Sequence, residues 1–148
     1  MKKFKFPLEK LRGLRQVRLE MVQAQMMALL AERSALEQRQ LMLDRQELNA
    51  RDELRVKREL GFEELSAMEG FRRWAELERE RMRRSALQLN ERVEDQRKAL
   101  LEARRDVEAL NRLRDRKLTG WRQEVDQEME STVAELVIAR WRREGGAA

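Results

Sequence analysis

Over residues 82–121 the chain steps by four and three in strict alternation: Met82, Ala86, Leu89, Val93, Gln96, Leu100, Ala103, Val107, Leu110, Arg114, Lys117 and Trp121. That spacing is a heptad seam, apolar except for polar layers at Gln96, Arg114 and Lys117. The first half repeats it less cleanly through Leu19, Val22, Met26, Leu29, Arg33, Leu36, Gln40, Leu43, Glu47, Ala50 and Leu54, with polar layers at Arg33, Gln40 and Glu47. Small and polar seam residues weaken a coiled coil but restrict the registers and partners it accepts. Met27, with Ala24, Ala28 and Ala31, broadens the apolar face beside Met26. Nothing else repeats at the period of a solenoid.

Between the two seams lies "GFEELSAMEGFRRW", residues 61–74. It holds two glycines and three aromatics, flanked by long stretches with no aromatic at all. Pro7 suits a helix's first turn, where its missing N–H is not needed. A first helix is therefore predicted over about 7–60. Gly61 suits the position just past a helix end. Ser66 and Glu69 have capping-box spacing, which starts a second helix at about 66. The turn is placed at about 61–66. The second helix runs to about 143, with a flexible tail over 144–148. Gly70 then falls in the first turn, where its cost against alanine, roughly 1 kcal/mol in a helix interior, is milder.

Two heptad helices joined by a short break predict an all-α fold: a single coiled-coil domain over 1–148, built as a long two-helix antiparallel hairpin. At about 1.5 Å per residue each arm would be roughly 80 Å long. The second helix is longer, so a C-terminal overhang from about Thr119 would project past the N-terminus. A continuous parallel homodimer is the other architecture this pattern allows. Gly61, the capping box and Gly70 all argue for a break instead.

Composition fits the seam. Charged residues make up 41% of the chain and aromatics 5%, the signature of long helices rather than of a thick globular core. The net charge of +5 is uneven. Residues 1–18 carry seven Lys or Arg against one Glu, and residues 140–148 three Arg against one Glu. The body between is slightly acidic, so the basic character belongs to the termini. The basic start "MKKFKFPLEK" has no apolar run behind it, and no apolar stretch reaches membrane-spanning length. The expectation is a soluble intracellular protein.

The chain has no Cys, His or Tyr. Thiolate chemistry, cysteine metal sites and imidazole acid–base work are therefore excluded. No glycine-rich phosphate cradle appears. The carboxylates sit on helical faces beside arginines, as solvated pairs do. A non-enzyme without cofactor or metal is expected.

Four stretches in order carry a family resemblance: "FKFPLEKLRGLRQVRLE", "FRRWAELERERM", "EALNRLRDRKLTGWRQE" and "VAELVIARWRRE". Together they resemble the flagellar export protein FliJ family, whose injectisome relatives are the YscO-type stalk proteins. The resemblance covers about residues 1–145. It implies a two-helix antiparallel coiled coil like the shaft of a rotary ATPase, a component of flagellar type III protein export. Its implied partners are the flagellar export ATPase hexamer, the cytoplasmic domain of the membrane export gate and the export chaperones. The implied location is cytoplasmic, peripheral at the inner membrane and held there only through partners. A monomer that binds no nucleic acid is expected. The alternatives are an injectisome stalk of the same fold, a homodimeric structural coiled coil, or a nucleic-acid-binding one suggested by the basic termini.

The resemblance places the gate-binding stripe at Phe71, Ala75, Glu78 and Met82, with Trp74 beside it. Glu78 departs from the family's small or apolar pattern. The same spacing also continues the seam, so these residues face either the first helix or a partner. For the ATPase ring, the candidates are Arg12, Arg15 and Arg18 on the first helix with Arg140, Arg142 and Arg143 on the second. Arginine makes planar bidentate contacts to carboxylates, which suits an acidic pore. Glu135 matches the family's terminal acidic residue. The plainer reading is that these arginines solubilise helix ends and complement the helix dipole.

Overall fold

The computed structural model describes residues 2–57 and 59–146. It contains two helices, α1 over Glu9–Val56 and α2 over Phe62–Gly145, and no strand among the described residues. α2 is the longer, at 84 residues against 48. The last two positions of the expected tail, 147–148, lie outside the described residues, and Glu144 and Gly145 belong to α2.

The expected boundaries shift at the break. α1 ends at Val56, four residues before Leu60. Leu54 is its last half-buried residue, and Val56 is exposed. α2 begins four residues ahead of Ser66. The Leu65 amide donates to the Gly61 carbonyl at 3.1 Å, which makes Gly61 the residue that opens α2 rather than the one that closes α1. Glu63 and Glu64 fill the first turn, where carboxylates complement the helix dipole. Ser66 sits inside the helix, and Glu69 bonds Arg72 instead of reaching back to it. At the other end Pro7 lies in a turn just before α1, with the Arg12 amide donating to the Leu8 carbonyl at 2.8 Å.

The chain divides into two compact units, one of Met1–Leu19 with Ala103–Ala148 and one of Glu20–Glu102. In the second unit α1 and α2 form an antiparallel hairpin. Lys57 pairs with Glu64 nearest the turn, Arg79 with Asp44 and Glu47 further along, and Arg92 with Glu32 beyond them. Its core is Met26 and Leu29 from α1 against Leu89 and Val93 from α2. Val93 is only 1% exposed, and Leu43 and Ala75 extend the buried line towards the turn. The polar layer at Gln96 is satisfied: its amide donates to the Val22 carbonyl at 3.1 Å and to Gln25 Oε1 at 3.0 Å. Gln40 of the expected seam is exposed instead. A long polar side chain at a two-helix seam reaches water by bending outward.

In the first unit the N-terminal arm lies antiparallel on α2. Arg15 pairs with Asp106 at 3.5 Å, Arg12 Nε donates to Asn111 Oδ1 at 2.7 Å, and Phe4 meets Trp121 with ring centroids 6.0 Å apart. Phe6, Ala103 and Val107 are buried here. The seam polar residue Lys117 is exposed. Every described residue of α2 after Val125 is exposed as well.

Gly70 falls in the interior of α2, with open space around the position a Cβ would take. Gly70→Ala should raise stability by about 0.5–1 kcal/mol, read as a higher thermal midpoint, because alanine costs less backbone entropy in a helix. An unchanged or lower midpoint would show that the open backbone is needed there.

Candidate interaction surfaces

The stripe at the start of α2 faces mainly inward. Ala75 is 1% exposed and lies in the seam, so it cannot meet a partner. Phe71, Glu78 and Met82 are half-buried on the same side. A small residue at 75 lets the two helices approach closely, and Phe71 then fills the widening space beside Ala50 and Leu54. Of the two readings left open by the spacing, the packing of Phe71, Ala75 and Met82 against α1 is the one observed. Trp74 differs. It is 47% exposed, with Leu77 more exposed three residues on, and its ring lies 5.8 Å from that of Phe71. An outward aromatic beside an outward leucine is the patch that the sequence stripe had only grazed. Leu77 was missed because it breaks the four–three stepping.

Around this patch Arg72 bridges two carboxylates. Its guanidinium donates to Glu69 at 2.7 Å and to Glu76 at 2.8 Å, and Arg73 also reaches Glu69. The Arg72 hydrogen bond holds the Glu69 carboxyl below its ordinary value, and Arg72 is raised in turn by Glu69. A depressed carboxylate contributes stability above its unfolded pKa and loses it as pH falls through the folded value. Acid should therefore loosen the opening turns of α2, seen as lower amide protection factors at 62–72. Glu69→Gln should remove that part of the pH dependence. An identical acid profile in the variant would count against the pairing.

The arginines expected at a single basic tip separate into two groups. Arg12 and Arg15 are half-buried and turned onto α2, bonded to Asn111, Glu9 and Asp106. They hold the arm down rather than offer a free surface. The reason was present in the stepping, since Arg12, Arg15, Leu19 and Val22 continue the seam upstream. Arg18 is exposed. Arg140, Arg142 and Arg143 are exposed near the end of α2, with Arg140 beside Glu144 at 3.3 Å. They lie about 29 residues beyond Asn111, roughly 40 Å along the helix axis, so they do not converge with Arg12. Glu135 is exposed on the same stretch.

A third surface was not singled out from the sequence. Lys2, Lys3, Lys5, Arg116 and Lys117 surround the Phe4–Trp121 pair in an open groove of about 1000 Å³. Among the described residues none of these five has a carboxylate within ion-pair distance, while neighbouring Arg112 and Arg114 each have one. Further on, α2 carries Met129, Val133 and Val137 along one exposed apolar strip. These surfaces expose charged and apolar side chains. Among the described residues no three His, Cys, Asp or Glu side chains gather as a metal site would require, and no helix is long and apolar enough to cross a membrane.

No family model, curated protein or solved structure matches this chain.

Proposed function

We propose that this chain is a non-enzymatic, stalk-like component of the flagellar type III protein export apparatus. In this reading it enters the ring of the export ATPase hexamer, links the ring to the cytoplasmic domain of the membrane export gate, and escorts export chaperones. It would sit in the cytoplasm at the inner membrane through those partners. The observation that carries the reading is the first unit: a short basic arm clamped antiparallel on α2, with α2 continuing unpaired beyond it. That anatomy suits insertion into a ring, and it agrees with the sequence resemblance. An injectisome stalk of the same fold is the same reading in a related system.

Ring contact falls to the exposed charges: Arg18, Glu135, Arg140, Arg142 and Arg143. Gate contact falls to Trp74 with Leu77. The deciding experiment is capture of a flagellar export ATPase by the full chain and by a variant with Arg18, Arg140, Arg142 and Arg143 changed to Glu. Binding should be lost in the variant and weaken with salt in the parent. Equal capture by both chains removes the ring reading. For the gate, Trp74→Ala should lower affinity about tenfold at an unchanged thermal midpoint, as an exposed aromatic anchor does. Phe71→Ala should lower the midpoint as well, because its ring is half-buried. A Trp74 variant that binds normally would sink the gate assignment.

The five unpaired cations around Phe4 and Trp121 favour one second reading, a nucleic-acid-binding coiled coil. A salt-dependent shift of DNA mobility by the isolated chain would support it.

A further inference from the structure

The groove between the N-terminal arm and α2 combines features that the chain's own packing does not use. Lys2, Lys3 and Lys5 line it from the arm, and Arg116 and Lys117 line it from α2. All five are exposed. Cations just outside the groove are neutralised, Arg12 and Arg114 by Glu9 and Arg112 by Glu108. The five inside carry no ion pair among the described residues. Glu124 is the one acidic residue that lines the groove with them. The aromatic pair is set among these charges. Phe4 stands between Lys3 and Lys5 in the chain, and Trp121 follows Lys117 by about one helical turn. Both rings are half-buried, so part of each remains accessible.

Gly120 adds an independent observation. It lines the same groove from the interior of α2. A side chain begun there would meet nothing within 4 Å, so packing within the chain does not call for a glycine. Glycine is unfavourable inside a helix, and one of its uses is to let another molecule approach the backbone closely. Next to the Trp121 ring it leaves room for a flat group.

Phosphate-sized anions beside a flat ring describe a nucleotide chain. A single strand offers both at every unit, and proteins that hold one combine a basic groove with aromatic rings on which bases stack. A duplex hides its base faces and is read by a helix or ribbon laid in a groove. Here three cations come from the segment before α1. The other two occupy adjacent positions on α2, about 100° apart around the helix. No single helix face is therefore basic enough to enter a duplex groove. We infer that this groove binds single-stranded nucleic acid without sequence preference. The cations hold successive phosphates, and a base stacks on the Phe4–Trp121 pair over Gly120. Glu124, one turn beyond Gly120, marks the end of the groove that repels phosphate. The inference rests on the nucleic-acid reading above and is independent of the stalk reading.

The test titrates the full chain against a labelled oligothymidylate of about 12 nucleotides, within the range of such sites, and reads fluorescence anisotropy. The same strand in duplex form and a polyglutamate of similar length are the comparisons. Charge alone favours the duplex, whose phosphates are more densely spaced, so preference for the single strand reports the rings. The single strand should bind at least about tenfold more tightly than either comparison. Its log affinity should fall with log salt at a slope of about −3, and changing Lys2, Lys3 and Lys5 to Gln should reduce that slope by about 2. Gly120→Met should fill the floor of the groove and weaken binding about tenfold, while far-UV circular dichroism shows the helices intact. Glu124→Gln should strengthen binding. In a chain carrying Trp74→Phe and Trp141→Phe, Trp121 is the sole indole, and its emission should be quenched on binding. Duplex or polyglutamate bound as tightly as the single strand would overturn the inference and leave the broader nucleic-acid reading standing only in the duplex case. No binding of either nucleic acid removes both. Unchanged Trp121 emission at saturation, or a Gly120→Met chain that binds like the parent, would also overturn it.

Discussion

Val93→Asp should lose about 3–5 kcal/mol of folding stability, the cost of placing an uncompensated charge in a packed interior. Among the described residues Val93 is the largest side chain below 2% exposure, and it belongs to one cluster with Met26, Leu29 and Leu89. In a two-helix seam there is no third layer for the carboxylate to hide in or reach through. The chain must either protonate the introduced carboxylate or part the helices. Total stabilities are commonly about 5–15 kcal/mol, so this one change takes a large share. The thermal midpoint should fall by roughly 10 °C, monitored by far-UV circular dichroism. Val93→Ala should cost about 2 kcal/mol, since it removes contacts without adding charge. Val56→Asp, at the exposed end of α1, should stay within about 0.5 kcal/mol of the parent. If Val93→Asp and Val56→Asp melt alike, the seam is not where the stability lies.

Trp121→Ala should act locally instead, freeing the N-terminal arm at a cost of about 2 kcal/mol. Phe4 packs against Trp121 with the rings tilted at 54°, and Phe6, two residues on, is buried. Without the indole ring the segment before α1 keeps the burial of Phe6, with Arg12 and Arg15 holding the first turns of α1 behind it. A change of that size raises the open population of the arm roughly thirtyfold. Trypsin cleavage after Lys5 and Lys10 should accelerate to match, because cleavage of a rapidly opening segment follows the open population. The helical signal should barely move. Equal cleavage rates in parent and variant would show that the aromatic pair is not what fixes the arm.

The fold was legible because apolar stepping reports directly on which side of a helix is covered. Leu89, Val93, Ala103 and Val107 were marked as seam from their spacing alone, and all four are buried. The boundaries were harder. Ser66 and Glu69 have the right spacing for a cap, but Glu69 has Arg72 and Arg73 within reach, and a guanidinium outcompetes a distant backbone amide. The candidate sites were legible only in part. Ala75 and Phe71 carry the pattern of a surface stripe and of a seam equally, and only packing separates the two. Arg12 and Arg15 carry the charge of a basic tip, but the net charge of a terminal stretch does not report the direction each side chain faces.

The link between α1 and α2 has a practical use. Around Gly61 nothing lies within 4 Å of where a side chain would begin, no described residue there adopts a left-handed backbone, and Glu59, Leu60, Phe62 and Glu63 are exposed. Exposed links of this kind tolerate foreign sequence well. A reporter domain or affinity handle spliced in after Leu60 should therefore leave both helices intact, and it would mark the chain at a point remote in sequence from its N-terminal arm and from the end of α2. Tracking such a label would follow the protein's whereabouts while leaving the N-terminal arm and the end of α2 unmodified.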